Sequence, residues 1–240
     1  NLNSQLLTGL KPNGVPIQLK GNTLPFMYND IDSLKNITEN NKDIGVIIME
    51  PQRTQKMSIK FLKEVRKIAT KIGAILIFDE VTSGFRINNG GIHLTTGIDP
   101  DMAVFGKALG NGFPISAIIG KKDIMTAAQT SFISSTFWTE RIGFTAALKT
   151  LEIIDKKKIY NNLIDYGNQV TDAWEESAIK NNINIKVTGI PPLRYFTFVN
   201  DNPEETQTYY TQEMLKKGFL AGSSVYATNA YSNRIIRKYK

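Results

Sequence analysis

The chain has 240 residues, 41% of them hydrophobic, a net charge of +7 and no cysteine. A chain this long can bury a sizeable core, and the missing cysteines exclude disulfide scaffolding and thiolate metal sites and fit a reducing cytoplasm. Its basic residues are scattered in single steps and short clusters such as Lys156–Lys158, without interleaved aromatics or a helix-turn-helix or zinc-finger pattern, so nucleic acid is not an expected partner.

No apolar run approaches the roughly 20 residues needed to span a bilayer, so no membrane is expected either. The opening stretch, "NLNSQLLTGLKPNG", lacks the regions of a secretory signal. It also lacks a starting methionine, which fits a processed chain or a fragment.

"IGVIIME" (Ile44–Glu50) is a continuous β-branched run, as in a strand covered on both faces, and Pro51 closes it. From Ser58 to Ile72 the apolar residues Leu62, Val65, Ile68, Ala69 and Ile72 recur at helical spacing. Ser58 is placed to cap that helix and Gly73 to stop it. "AILIF" (Ala74–Phe78) is a second buried strand. Strand, helix and strand within about 35 residues predict a right-handed crossover in a parallel sheet. Two more strands are expected at Met102–Phe105 and Ile115–Gly120.

A long helix begins near Gly143, with Phe144, Ala147, Leu148, Leu151 and Ile154 on one face, until Lys156–Lys158 break the pattern. Another follows, with Ile159, Leu163, Tyr166, Val170, Ala173 and Ser177 in register. Strands at Ile183–Gly189 and Arg194–Val199 and a helix at Glu204–Lys217 complete the chain. The class is α/β: a mostly parallel sheet over residues 1–154, then a small α+β unit over 155–240.

Chemistry in such sheets collects at the carboxyl ends of the strands. Glu50, Asp79 and Lys107 all sit there. Lys107 is flanked by Gly106, Gly110 and Gly112, so the backbone can turn sharply and a flat ligand can come close. Desolvated in such a place, a lysine becomes an amine nucleophile toward an aldehyde. An aspartate on a neighbouring strand can pair with a protonated ring nitrogen, and the two groups together are what a pyridoxal-phosphate enzyme requires. Taken singly, Lys107 also reads as a surface lysine and Asp79 as a helix cap or salt-bridge partner. His93 is the only histidine, leaving no cluster for a metal or a triad, and it reads as a loop residue.

"GVIIMEP" (Gly45–Pro51), "ILIFDEVTSGFR" (Ile75–Arg86), "GIDPDMAVFGKALGNGFPISAIIG" (Gly97–Gly120) and "SSTFWTERIGFTAALKTLEII" (Ser134–Ile154) together resemble the class III pyridoxal-phosphate aminotransferases, in particular glutamate-1-semialdehyde 2,1-aminomutase and its relatives. The resemblance runs from about Gly14 to the end. It implies the type I, aspartate aminotransferase-like fold with helices on both faces of the sheet. It implies pyridoxal 5′-phosphate as cofactor, a small amino-acid or amino-aldehyde substrate, and a cytoplasmic homodimer with its sites at the subunit interface.

Carried over by position, Asp79 holds the ring nitrogen protonated and Lys107 forms the Schiff base and then moves the proton. Val81 packs on the ring, although it also reads as core. Thr136 reaches the cofactor phosphate of the neighbouring subunit, although it also reads as a turn hydroxyl. Glu50 takes only a structural role.

Thr82 stands where many members have glutamine, near the cofactor's phenolic oxygen, and "GFR" (Gly84–Arg86) leans toward the mutase group. Trp138–Arg141, "WTER", replace a common glycine-asparagine-proline, so the substrate entrance differs. Arg141 there would meet a substrate carboxylate or bridge to Glu140 or Asp155. The family's phosphate loop and substrate-selecting residues have no counterpart here. The expectation is a partial protein: the second half of the large domain and most of the small one, inactive alone. A non-catalytic homologue serving as a scaffold or binding subunit is the other reading.

Overall fold

The computed structural model describes residues 13–56 and 58–240, so most of the N-terminal stretch quoted above lies outside the described residues. The chain divides into two compact units, Asn1–Ile47 with Ser58–Ile75, and Ile48–Met57 with Leu76–Lys240.

In the first unit, Asp30 opens helix α1 (Ile31–Asn40) by accepting the N–H groups of Asp32 and Ser33. Strand β1 (Val46–Met49) follows, its residues alternating exposed and buried. Helix α2 (Ile59–Ile72) starts where the Ser58 hydroxyl accepts the Phe61 N–H at 3.2 Å. It stops at Gly73, whose φ of 73° suits a residue without a side chain. Both caps fall on the expected residues. The Tyr28 and Phe61 rings meet with centroids 5.4 Å apart.

Strand β2 (Ile75–Asp79) pairs in parallel with β3 (Met102–Phe105), with Ile77 opposite Met102 and Asp79 opposite Val104. Strand β4 (Ala117–Gly120) pairs antiparallel with β3, giving a mixed four-stranded sheet in the order β1-β2-β3-β4. β4 starts two residues later than expected because Ile115 is drawn off to pack with Ala103, Phe105, Leu109 and Ala147.

After the short helix α3 (Lys122–Met125) comes α4 (Arg141–Lys157). It begins two residues before Gly143 because the Glu140 carboxylate accepts the N–H groups of Ile142 and Gly143. Its apolar residues do not share one buried face. Ala147 and Ile154 are buried, whereas Phe144 and Leu148, one turn apart, form an exposed stripe, and Ile142 is exposed on another side of the helix.

Helix α5 (Ile159–Lys180) follows after Lys158. The three-stranded antiparallel sheet holds β5 (Ile185–Ile190), β6 (Leu193–Phe198) and, after α6 (Pro203–Lys216), β7 (Ser224–Tyr226). Helix α7 (Asn233–Tyr239) closes the chain. Val170, Trp174, Phe196, Val225 and Ile236 form the core of this part. The Trp174 indole donates to the Tyr239 hydroxyl at 2.7 Å, so the buried ring keeps its polar edge satisfied.

Candidate active site

The parallel register carries the carboxyl ends of β2 and β3 to the same edge. Asp79 is the last residue of β2 and lies opposite Val104, three positions before Lys107. Adjacent strands are about 4.8 Å apart, so the two expected residues share one rim. One Asp79 oxygen accepts the Val81 N–H at 3.0 Å. Its other oxygen takes no hydrogen bond among the described residues. A carboxylate with one oxygen tied to its own turn and one open is suited to accept from a ring N–H.

Lys107 follows Gly106 and opens a short 3₁₀ turn, Lys107–Leu109. Its φ is 42°, in the left-handed region that side-chain-bearing residues rarely occupy. The Lys107 Nζ donates to the Thr82 hydroxyl at 2.8 Å, and that hydroxyl donates to Glu50 Oε1 at 3.2 Å. Arg53 reaches Glu50 Oε2 at 3.5 Å. A threonine hydroxyl has one proton, and committing it to Glu50 leaves its lone pairs for the lysine. Thr82 is buried and Lys107 exposed, so these residues fix the amine's position without supplying the apolar cover expected around it.

Val81 is half-buried, and its Cγ1 would lie 3.4 Å from a Cβ placed on Gly106, so it packs over that glycine. At Gly110 a Cβ would run into the Phe113 carbonyl and lie 2.8 Å from Ile115 Cγ2. The turn after Lys107 therefore closes only over a glycine.

What the sequence does not show is that Thr82 and Glu50 are joined to Lys107 in one hydrogen-bonded chain. Glu50 lies at the expected edge of the sheet, where it accepts from Thr82 and Arg53. The signal was its position at a strand end level with Asp79 and Lys107.

Beside this rim, Glu80 is fully buried. It accepts the N–H groups of Ile92 and His93 at 2.9 and 3.0 Å and the Ser83 hydroxyl, and pairs with His93 Nδ1 at 2.8 Å. His93 is therefore a buried partner in a short 3₁₀ helix, Ile92–Thr95, not a loop residue. A carboxylate that cannot reach water had to be met by the one imidazole nearby. Burial pushes the Glu80 carboxyl up, but the hydrogen bonds from His93, Ser83 and the two backbone groups together outweigh it, and the result is a value below 4.5.

With the folded value depressed, this contribution to stability is complete above the unfolded value near 4.5 and is lost as pH falls through the lower folded value. Glu80→Gln should be less stable than wild type at pH 7 and lose less of its remaining stability on acidification. Urea unfolding between pH 7 and pH 3 checks this, and parallel pH profiles for the two proteins would contradict it.

Thr136 is exposed in a turn and is not brought to Lys107 within this chain. Arg141 forms neither expected bridge: Glu140 caps α4, and Asp155 Oδ1 takes Lys158 and Asn89.

A model of the class-III aminotransferase family matches residues 12–231. The chain belongs to that family. It is 37% identical over 219 residues to a 3-aminobutyryl-CoA aminotransferase of Cloacimonas acidaminovorans, covering 86% of this chain and 53% of that protein. It is 35% identical over 216 residues to a glutamate-1-semialdehyde 2,1-aminomutase of Methanococcus maripaludis, covering 86% and 50%.

Among solved structures, the FumI protein of Sphingopyxis sp. MTA144, in its pyridoxal-phosphate internal aldimine form, superposes with a TM-score of 0.84. It is 26% identical, and the match covers 90% of this chain and 54% of that one. The chain thus spans about half the length of the relatives it matches. The fold is the type I fold of pyridoxal-phosphate transferases, and pyridoxal 5′-phosphate is the cofactor that family and structures indicate. The open Asp79 oxygen and the Lys107 amine on one rim fit that group.

Proposed function

We propose that this class-III chain belongs to a pyridoxal-phosphate enzyme that moves an amino group through Lys107, as an aminotransferase or a glutamate-1-semialdehyde 2,1-aminomutase-like protein. The observation that supports this most is the pairing of Asp79 and Lys107 at the ends of adjacent parallel strands, with the Lys107 amine already held by the Thr82 hydroxyl. When bound, the cofactor supplies an electron sink for charge developing on the carbon next to the substrate amine. Asp79, through its open oxygen, would keep a ring nitrogen's proton in place. Val81 presents an apolar surface beside Gly106. The Lys107 Nζ would be the group that holds the cofactor, and the same amine would serve as the base and acid that move the substrate carbon's proton. Thr82 would give the free Lys107 amine a fixed place.

On this reading, residues 1–154 belong to the large cofactor domain and 155–240 to the small one, in keeping with the two separate sheets. A cytoplasmic homodimer acting on a small-molecule substrate is part of the same proposal. The exposed Phe144 and Leu148 stripe and the exposed Thr136 turn are surfaces that a second copy would cover.

The test uses the native protein containing this chain, with and without an added amino donor. Conversion of glutamate-1-semialdehyde with no second substrate supports the mutase form, and a strict need for the donor supports exchange. Absence of any cofactor attachment to Lys107, read by borohydride reduction and peptide mapping, overturns both and leaves the scaffold reading.

A further inference from the structure

The hydrogen bonds that run from Lys107 through Thr82 to Glu50 have a direction as well as a position. An ionised carboxylate only accepts, so across the 3.2 Å between Thr82 Oγ1 and Glu50 Oε1 the proton comes from the threonine. That hydroxyl has no second proton. Toward Lys107, whose Nζ lies 2.8 Å away, it can therefore only accept.

The surrounding chain holds this direction in place. Pro51 and Gln52, directly after Glu50, are buried. Farther along the same loop, the Thr54 carbonyl accepts the Gly189 N–H of β5 at 2.8 Å. Between those anchors, Arg53 reaches Glu50 Oε2 at 3.5 Å, so the two carboxylate oxygens have separate partners. On the other side, the Glu80 N–H donates to the Val104 carbonyl at 2.8 Å and Asp79 accepts from Val81, which pins the turn that carries Thr82. All of these residues lie in one compact unit.

A neutral amine has one lone pair, and it is that pair which attacks an electrophilic carbon. A hydroxyl proton turned toward the pair would occupy it. We propose that Glu50 is a positioning residue that acts through Thr82: by taking the hydroxyl proton, it keeps the lone pair of Lys107 Nζ open while the threonine still holds the amine by an N–H. This rests on the amino-transfer reading and adds to it a group that sets the amine's readiness without touching cofactor or substrate.

Glu50→Gln separates direction from packing. Arg53 offers only donors, so it draws the amide oxygen and leaves the amide NH2 facing Thr82. The Thr82 oxygen then accepts from the amide, and its displaced proton turns to Lys107. Shape is nearly conserved, but the bond between threonine and lysine is reversed.

The test uses the native protein freed of cofactor, labelled competitively with acetic anhydride and mapped by peptide. The amine attacks a carbonyl carbon of the anhydride, an N–C bond forms, acetate leaves and the amine's proton passes to water. Lys122, which is exposed, serves as the internal reference. Rates are followed from pH 7 to pH 11 and compared for the fully neutral amine, so that the charge lost with Glu50 does not enter. Glu50→Gln should slow Lys107 relative to Lys122 by about 10-fold, the effect of one hydrogen bond on the lone pair. In a Thr82→Ser background the same substitution should slow it as much, since serine keeps the hydroxyl. In a Thr82→Val background it should change the rate by no more than about 2-fold.

Equal labelling of Lys107 in wild type and Glu50→Gln overturns the proposal. So does a full effect in the Thr82→Val background, because Glu50 would then act on the lysine without the hydroxyl. Reattachment of pyridoxal phosphate, read by visible absorbance and borohydride mapping, tests the amino-transfer reading separately. If the labelling pattern holds but wild type attaches no cofactor at Lys107, that reading falls and the positioning role of Glu50 stands.

Discussion

Lys107→Ala should reduce turnover of the native protein by on the order of 10⁴-fold, because on the proposed function one substitution removes both the attachment point of the cofactor and the group that carries the proton. The fold should barely notice. Lys107 is exposed, and its side chain makes one hydrogen bond, to Thr82, a hydroxyl that keeps its bond to Glu50. The thermal midpoint should therefore stay near that of wild type while the visible absorbance of the attached cofactor disappears and borohydride no longer fixes a label on the Gly106–Gly112 peptide. Retained colour in this variant would place the attachment on another lysine and detach the Thr82 contact from the chemistry.

Asp79→Asn should cost about 10²- to 10⁴-fold in turnover with a much smaller loss of cofactor affinity. The amide oxygen can still accept the Val81 N–H that Asp79 accepts at 3.0 Å, so the turn should keep its shape. The open oxygen is different, since an amide there offers no negative charge to hold a ring proton. Attachment to Lys107 should survive, because that step depends on the amine and not on the carboxylate. The decisive comparison is the cofactor dissociation constant against kcat in the same preparation. Equal losses in both would mean that Asp79 only shapes the pocket.

Much of this was legible in the residues because it depends on local chemistry. Met102–Phe105 is a strand of the same extent in sequence and structure, and α2 starts and stops at Ser58 and Gly73 as its capping residues dictate. Pairings over a distance were harder. Glu50 and Thr82 are 32 positions apart, and Glu80 and His93 are 13 apart, so neither bond can be read without the register of the sheet.

A clue existed for the second pair. Side chains alternate across a strand, so of the neighbours Asp79 and Glu80 one had to turn inward and find a partner. The α4 face failed for another reason. Helical spacing finds apolar residues that share a side, but does not tell whether this chain or something else covers that side, and Phe144 and Leu148 are left open.

The left-handed backbone at Lys107 has a consequence for how the protein tolerates change. A residue with a Cβ held at φ 42° carries a penalty of roughly 1–3 kcal/mol, and glycine, which lacks the clash, would be the better choice for folding alone. On the proposed function, the position that the chemistry can least spare is thus one where thermodynamics favours a different amino acid. A screen for heat resistance alone would pull this site toward an inert protein, and would need a second, catalytic criterion to hold the lysine in place.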